Sequence, residues 1–162
     1  MLKYSTLNKF YRKSHRRIWR ILFGSNFRRF GKSSTISFPL RIDNAKYIEI
    51  GDHVSILNKA WLGARQVDEN VPRLIIDDYA KIQYFAAISC VRHVYIGKGV
   101  GIGNNVYISD NTYSIEDGGG PIMWQGPVVF KNSVHIGDST WIGMNVCIIG
   151  AKIGTHLSLI HI

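Results

Sequence analysis

Residues 94–108 read VYIGKGVGIGNNVYI, and an isoleucine recurs there at every sixth position, as Ile96, Ile102 and Ile108. Glycine follows the first two isoleucines, and valine stands four places after each of them. A period of six matches neither an α-helix, at 3.6 residues, nor a simple alternating strand, at two. It predicts short strands joined by sharp corners, with one aliphatic side chain per strand pointing inward and glycine relieving the crowding at each turn.

The same spacing runs through most of the chain in three stretches. Its positions are Ile36, Ile42, Ile48, Ile50, Ile56 and Leu62, then Ile76, Ile82, Ile88, Val94, Ile96, Ile102 and Ile108, then Phe130, Ile136, Ile142 and Ile148. Three six-residue units would close one triangular coil of about 18 residues, and stacked coils would bury aliphatic side chains that one coil cannot bury alone. The pattern therefore predicts an all-β parallel β-helix. Gly97, Gly99 and Gly101 keep its register and no helix follows them, so we assign them to coil corners rather than to a phosphate-binding loop.

The chain has 162 residues and a formal net charge of +9, which is unevenly distributed. Residues 1–42 contain 11 of the 20 Lys and Arg residues and no Asp or Glu, whereas residues 43–162 sum to −2. The nearly neutral body gives no support for nucleic-acid binding.

The length suits one domain. Two cysteines are not a disulfide framework, and the His and Cys residues lack the spacing of a metal site, so we expect no metal.

Residues 2–23 lack glycine and proline and are predicted to form a basic helix that ends at Gly24. Apolar residues recur at roughly helical spacing, with Lys and Arg between them, at Leu7, Phe10 or Tyr11, Ile18, Ile21 and Leu22. Two interpretations stay open. The helix rests on an anionic membrane surface or an acidic glycan, or it packs its apolar side on the body and exposes its charges. No apolar run is long enough to span a bilayer, and arginines interrupt any signal-peptide core, so we expect a cytoplasmic protein, peripheral to the inner membrane face under the first interpretation.

The stretch 134–146, VHIGDSTWIGMNV, resembles the hexapeptide-repeat, or isoleucine-patch, acyltransferases, and among them the acetyltransferases of surface polysaccharides and small sugars. The resemblance covers residues 33–156, after a basic helical segment at 1–32. It implies a left-handed parallel β-helix, an exception to the right-handed crossover rule. It also implies a homotrimer with active sites between adjacent β-helices, acetyl-CoA as the acyl donor and a saccharide hydroxyl as the acceptor.

Two excursions interrupt the repeat, and long irregular loops in compact domains are usually functional or mobile. Residues 63–73 form a short one to which we assign no chemistry. Residues 109–127 form the longer one, at the point where the resembling enzymes carry their catalytic loop. The positions that match that loop motif are Asp110, Glu116, Asp117 and Gln125. The resemblance implies that Asp110 orients the base or an acceptor hydroxyl, that Asn111 or Tyr113 contacts the sugar, and that Glu116 and Gln125 lie on the substrate side.

The donor site is likewise implied by the resemblance. Trp141 would pack against the pantetheine arm of CoA, and backbone amides near Gly143 would bind its carbonyls or the thioester oxygen. Ser139 would belong to the same site.

Tyr113 stands where the family has the histidine that serves as general base. Imidazole suits that task near neutral pH, whereas a phenol suits it poorly. Three interpretations stay open. His93 or His135 of a neighbouring subunit supplies the base, the loop is shifted by a residue, or the protein is a catalytically inactive β-helix that binds a glycan or a partner chain.

Residues 157–162, LSLIHI, are predicted to break the repeat register after His156. One frame of a common sequencing adapter encodes the same six residues, so we expect them to be artefactual and the natural chain to continue beyond His156. A solenoid cut there would expose an open strand edge and an uncapped core.

Overall fold

A computed structural model of the chain describes residues 14, 17–114 and 127–160. Residues 17–23 are helical, and two single 3-10 turns occur at Gly24–Asn26 and Ala45–Tyr47. Strands make up the regular structure of the remainder. They are β1 (Arg29–Phe30), β2 (Thr35–Ile36), β3 (Arg41–Asp43), β4 (Ile48–Ile50), β5 (Ser55–Ile56), β6 (Trp61–Ala64), β7 (Arg73–Ile76), β8 (Lys81–Ile82), β9 (Ala87–Cys90), β10 (His93–Ile96), β11 (Gly101–Ile102), β12 (Tyr107–Ser109), β13 (Asn111–Tyr113), β14 (Val128–Phe130), β15 (Val134–Ile136), β16 (Trp141–Ile142), β17 (Cys147–Ile149), β18 (Lys152–Ile153) and β19 (Ser158–Leu159).

These strands form the three faces of a triangular solenoid. Sheet A has the order β1-β4-β7-β10-β15-β18, sheet B the order β19-β16-β11-β8-β5-β2, and sheet C the order β17-β12-β9-β6-β3. Every pairing within the three sheets is parallel, and each strand bonds to its counterparts one coil before and one coil after it. The predicted parallel β-helix is therefore confirmed. We call its three edges A–B, B–C and C–A after the sheets that meet there.

The regular coil is 20 residues long, not the predicted 18. Thr35 pairs with Ser55, and Gly101 pairs with Lys81, each across 20 residues. The two additional residues lie in sheet A, whose strands point two aliphatic side chains inward rather than one, as Ile48 does together with Ile50. This explains why the six-residue spacing shifts by two once in every coil.

The inward side chains form one continuous hydrophobic core along the solenoid axis. Every predicted repeat position is buried except two, and most are fully inaccessible to solvent. Ile42 is half-buried in the first coil. Phe130 does not belong to the column at all, because it lies in β14, which pairs antiparallel with β13 in a hairpin outside the three sheets.

Glycine residues and residues with a left-handed backbone conformation form the corners of the coils. Gly103 and Gly137 sit where successive coils approach closely, and a Cβ would lie 2.8 Å from the backbone of the next coil at Gly103 and 2.6 Å from it at Gly137. Other corners place a non-glycine residue in the left-handed region, as at Asn105 (φ 55°) and Asn145 (φ 58°), which asparagine tolerates well. The side-chain amide of Asn105 donates to Oδ1 of Asn145 at 2.9 Å, so these corners bond along the stack.

The repeat register continues past His156, contrary to the prediction. Ile142 pairs with Leu159, and Trp141 pairs with Ser158, in the parallel register of sheet B. The last coil is 17 residues long because the corner between β17 and β18 is three residues shorter than usual and turns through Gly150 (φ 58°). Whether residues 157–162 are artefactual stays a prediction.

The helix at residues 17–23 lies across the N-terminal end of the solenoid and ends before Gly24, as predicted. Trp19 packs against the core, with ring centroids 6.0 Å from Phe27 and 5.9 Å from Phe30. No helix in the described part of the chain is long and apolar enough to cross a bilayer.

Candidate active site

Both excursions leave the solenoid at the same edge, C–A, two coils apart, and the short corner between β9 and β10 lies between them. The first connects β6 to β7, and the second lies between β12 and β15. The described part of the second begins and ends as the β13–β14 hairpin, in which Asn111 is opposite Phe130 and Tyr113 is opposite Val128. We call this region, residues 65–72, 90–93, 109–114 and 127–131, the excursion edge. Glu116, Asp117 and Gln125 lie outside the described residues.

Asp110 is the buried centre of the excursion edge, with no solvent exposure. Its Oδ1 accepts the backbone amide of Val91 at 2.8 Å, and its Oδ2 accepts those of Arg92 and His93 at 2.8 Å each. Because the chain leaves the solenoid at this point, the next coil supplies no backbone carbonyls to accept these three amides. The Asp110 carboxylate accepts them instead. Asp110 thus anchors the excursion, whatever catalytic role it also has.

Asn111 is almost fully buried beside Asp110. Its side-chain amide donates to the carbonyl oxygen of Ser89 at 3.2 Å, to Ser89 Oγ at 3.0 Å and to Asp110 Oδ1 at 2.9 Å. These hydrogen bonds fix the side chain of Asn111 in the corner. Tyr113, by contrast, is 63% exposed, so of the two predicted sugar contacts only Tyr113 presents its side chain to solvent.

Arg92 connects the two excursions, and no motif in the sequence marks it. Its guanidinium pairs with Asp68 of the first excursion at 2.6 Å and lies over the ring of Phe130 of the second, 4.4 Å from the centroid. The short excursion therefore positions the long one. The contacts of Arg92 depend on how the coils stack, which no local motif indicates.

The outer face of sheet A carries His93 and His135 next to the excursion edge. His93 opens β10, half-buried, and the ring of His135 stacks on Tyr95 with centroids 4.7 Å apart. Burial lowers the pKa of the His93 imidazole, the positive charges of Arg73 and His135 lower it further, and Asp110 opposes them. His93 lies next to the predicted catalytic loop residues. Its lowered pKa favours the neutral imidazole.

A cavity of about 580 Å³ lies at a different edge, B–C. Its lining comes from the residues that follow sheet B strands in four successive coils. They are Gln83, Gly103, Asn104, Trp141, Gly143, Met144, Asn145 and Ile160. Strands one coil apart are separated by about 4.8 Å, so the cavity extends roughly 14 Å along the solenoid axis. Its shape is that of a groove for an extended molecule, and we call it the Trp141 cavity.

Trp141 is 42% exposed and lies over Gly101 of the preceding coil. A Cβ at position 101 would come within 2.5 Å of the indole, so glycine there makes room for the ring. Gly143 also lines the cavity, but its amide donates to the carbonyl of Leu159 at 2.6 Å and is not available to a ligand in this structure. Ser139 lies at the A–B edge, in the left-handed region (φ 55°), and does not line the cavity.

The two groups of predicted site residues lie apart on one chain. Sheet C, with strand β12, lies between the Trp141 cavity at the B–C edge and the excursion edge at C–A, and the three residues of β12 alone span about 10 Å. A single chain therefore does not bring the predicted donor and acceptor residues together.

The structure describes no arrangement of three or more His, Cys, Asp or Glu within residues 14, 17–114 and 127–160 that could hold a metal ion.

The two cysteines are expected to differ sharply in reactivity. Cys90 is buried beside Asp110, and burial together with that carboxylate raises the pKa of its thiol far above the ordinary range, whereas Cys147 is exposed on β17. Because the thiolate is the reactive form, a disulfide reagent such as DTNB should label one thiol per native chain and two after denaturation. Cys147→Ser should abolish the native reaction. Equal labelling of both thiols in the native protein would contradict the buried position of Cys90.

His93 is expected to make stability depend on pH near neutrality. Its pKa is lowered in the folded chain, so below the ordinary value of about 6.5 the unfolded chain binds protons more readily. The free energy of unfolding should be highest above pH ~6.5 and fall as the pH decreases below it. Glu49, whose pKa is lowered by its hydrogen bond from Arg73, adds a loss only near its usual value of 4.5 and below. Urea unfolding between pH ~7.5 and ~5.5 should therefore show a weaker pH dependence for His93→Gln, and parallel curves would refute this role.

Comparison with known proteins supports the fold. The chain is similar to a hexapeptide-repeat-containing acetyltransferase from Vibrio cholerae O1 biovar eltor, solved in complex with acetyl coenzyme A, with a TM-score of 0.50 and 21% sequence identity. The alignment covers 88% of this chain and 62% of the other, so the chain spans less than two thirds of that protein's length. The left-handed parallel β-helix is thereby confirmed. No protein-family model and no curated protein matches the sequence.

Proposed function

We propose that this chain is an acetyl-CoA-dependent O-acetyltransferase that acts on a saccharide hydroxyl in surface polysaccharide biosynthesis. The observation that carries the proposal is the Trp141 cavity, an extended groove on a fold shared with the Vibrio acetyltransferase, which was solved in complex with acetyl coenzyme A. The saccharide acceptor is proposed from the resemblance of residues 134–146 to the sugar acetyltransferases.

The chemical composition of the cavity suits the donor. Trp141, Met144 and Ile160 offer apolar surface to the methylene groups of a pantetheine arm. Gln83 and Asn104 supply amide groups that match the donors and acceptors of its two peptide-like bonds. A length of roughly 14 Å along the axis accommodates an extended chain rather than a compact ring.

The separation of the two half-sites supports a homotrimer. Since the width of sheet C separates Asn104 from Asp110, the excursion edge that completes the Trp141 cavity is proposed to come from a neighbouring subunit. Closed rings of identical contacts are the common outcome for such a heterologous interface. Size-exclusion chromatography with light scattering should give three times the chain mass of 18.3 kDa.

The proposed reaction transfers an acetyl group from sulfur to oxygen. The acceptor hydroxyl oxygen attacks the thioester carbonyl while its proton passes to a base, and the tetrahedral intermediate then releases the CoA thiolate, which is protonated. His93 is the base that we favour, because it lies at the excursion edge and favours its neutral form. Tyr113, exposed on the hairpin, would contact the acceptor sugar.

Acetyl transfer tests the proposal directly. The full chain is incubated with acetyl-CoA and a panel of mono- and oligosaccharides, and the acetylated sugar is detected by mass spectrometry. Release of free CoA thiol is the parallel readout, corrected for the Cys147 thiol. Acetylated product that requires both substrates is the expected result. The absence of product from every sugar, with a trimeric protein that binds acetyl-CoA, would contradict the saccharide acceptor.

A second candidate function is supported by Tyr113, which stands where the resembling enzymes have their histidine. In that case the protein is an inactive β-helix that binds a glycan or partner chain, and an intact trimer would show no acetyl-CoA binding in calorimetry.

Tyr113→His separates the two functions further. Because imidazole is a better base near neutral pH, the substitution should raise the transfer rate if Tyr113 occupies the base position. An unchanged rate in a variant that binds acetyl-CoA would place the base elsewhere and favour His93.

A further inference from the structure

We propose that the helix at residues 17–23 binds the surface of an anionic lipid bilayer through an exposed apolar ridge formed by Ile18, Ile21 and Leu22. This inference is independent of the acetyl-transfer chemistry.

The ridge has the geometry of a membrane-contacting helix. Ile18, Ile21 and Leu22 follow the i, i+3, i+4 spacing that places side chains on one helix face. They are 57%, 71% and 61% exposed, respectively. The other face of the helix already has a partner, since Trp19 packs against Phe27 and Phe30 at the end of the solenoid. The helix is therefore held in place by one face and presents the other, apolar face outward.

The helix borders a second apolar site, on the side that faces the solenoid. Leu40 is 69% exposed, and it lines a groove of about 330 Å³ together with Trp19 and Phe23. Isolated exposed aliphatic residues are common on soluble proteins, but several in contiguous positions mark an interaction surface.

The charge around the ridge determines which occupant fits it. Residues 1–42 carry 11 basic and no acidic side chains. Among the residues that the structure describes, no carboxylate lies within ion-pair distance of Arg17, Arg20 or Lys32. Arg17 is exposed and stands one helical turn before Ile21. Basic side chains flanking an apolar helix face are complementary to anionic headgroups over acyl chains. A second copy of this chain would instead bring two basic segments together.

Vesicle sedimentation tests this proposal. The full chain is mixed with vesicles of phosphatidylcholine containing phosphatidylglycerol, or with vesicles of pure phosphatidylcholine, at salt concentrations of ~0.1 M and ~0.5 M. The protein should pellet with the anionic vesicles, and its apparent affinity should fall at high salt and with the neutral lipid. Ile21→Glu should lower the apparent affinity for anionic vesicles by roughly tenfold or more, because it replaces an inserted aliphatic side chain with a charge.

Val71→Glu is the matched control, since Val71 is 57% exposed on the first excursion, away from the ridge. It makes the same change in charge and should leave vesicle binding unchanged apart from a small electrostatic effect. No pelleting with anionic vesicles would overturn the proposal, as would equal binding by wild type and Ile21→Glu. A change of oligomeric state in Ile21→Glu without lipid binding would also overturn it, and would assign the ridge to a protein interface. Acetyl-CoA binding measured on the same variant keeps this result separate from the proposed function.

Discussion

Asp110→Ala is expected to lower the free energy of unfolding by about 3–5 kcal/mol. The substitution leaves the amides of Val91, Arg92 and His93 without the carboxylate that accepts all three at 2.8 Å. A buried donor that loses its partner costs about 1–3 kcal/mol, and three on one acceptor do not add fully. Urea denaturation followed by circular dichroism measures the change. A loss of this size is a large fraction of the roughly 5–15 kcal/mol that stabilises a typical domain.

Two controls separate this effect from a general loss of charge. Asp110→Asn preserves the shape and one acceptor oxygen, so it should be clearly less destabilising than alanine. Asp68→Ala removes an exposed carboxylate from the same edge, where the ion pair with Arg92 is accessible to solvent, and should change stability little. If Asp110→Ala were no more destabilising than Asp68→Ala, the anchoring role of Asp110 would be wrong.

Trp141→Ala is expected to weaken acetyl-CoA binding by roughly ten- to a hundredfold, equivalent to about 1.4–2.8 kcal/mol. The indole is the largest apolar surface in the Trp141 cavity and is held over Gly101, so its removal leaves a pantetheine arm without its main contact. Calorimetric titration of the variant with acetyl-CoA is the measurement. The thermal stability should change little, because Trp141 is partly exposed and lies outside the core column.

Trp61→Ala is the matched control. Trp61 is also an outward-facing tryptophan at the start of a strand, but it lies in sheet C and donates its indole N–H to Asp43 at 3.0 Å. It does not line the Trp141 cavity, so its loss should leave acetyl-CoA affinity unchanged. Equal weakening by both substitutions would mean that the cavity is not the donor site.

Most of the fold could be predicted from the sequence because the six-residue repeat is local. The spacing of Ile96, Ile102 and Ile108 alone predicts a short strand, a corner and one inward-facing side chain in each repeat unit. The coil length was predicted two residues too short because the second inward residue of each sheet A strand looks like a shift in the pattern. Phe130 was assigned to the column because an aromatic residue at the right spacing cannot be distinguished from an inward one by sequence.

The site was predictable to a smaller extent because its geometry depends on contacts between coils. The bonds from Asp110 reach amides 17 to 19 residues away, which only the stacking brings together. Trp141 and Gly143 line one cavity, whereas Ser139 lies at a different edge, and their assignment to a donor site stays a prediction. The resemblance to the acyltransferases identifies Trp141, Gly143 and Ser139 individually. It does not indicate that sheet C separates Trp141 and Gly143 from the excursion edge.

Titration of the full chain with acetyl-CoA is the most direct test of the proposed donor site. It should show saturable binding of one molecule per chain, lost or strongly weakened in Trp141→Ala and retained in Trp61→Ala. A folded protein that takes up no acetyl-CoA, or that binds it equally with and without the Trp141 indole, would contradict the assignment of this cavity as the donor site of an acetyltransferase.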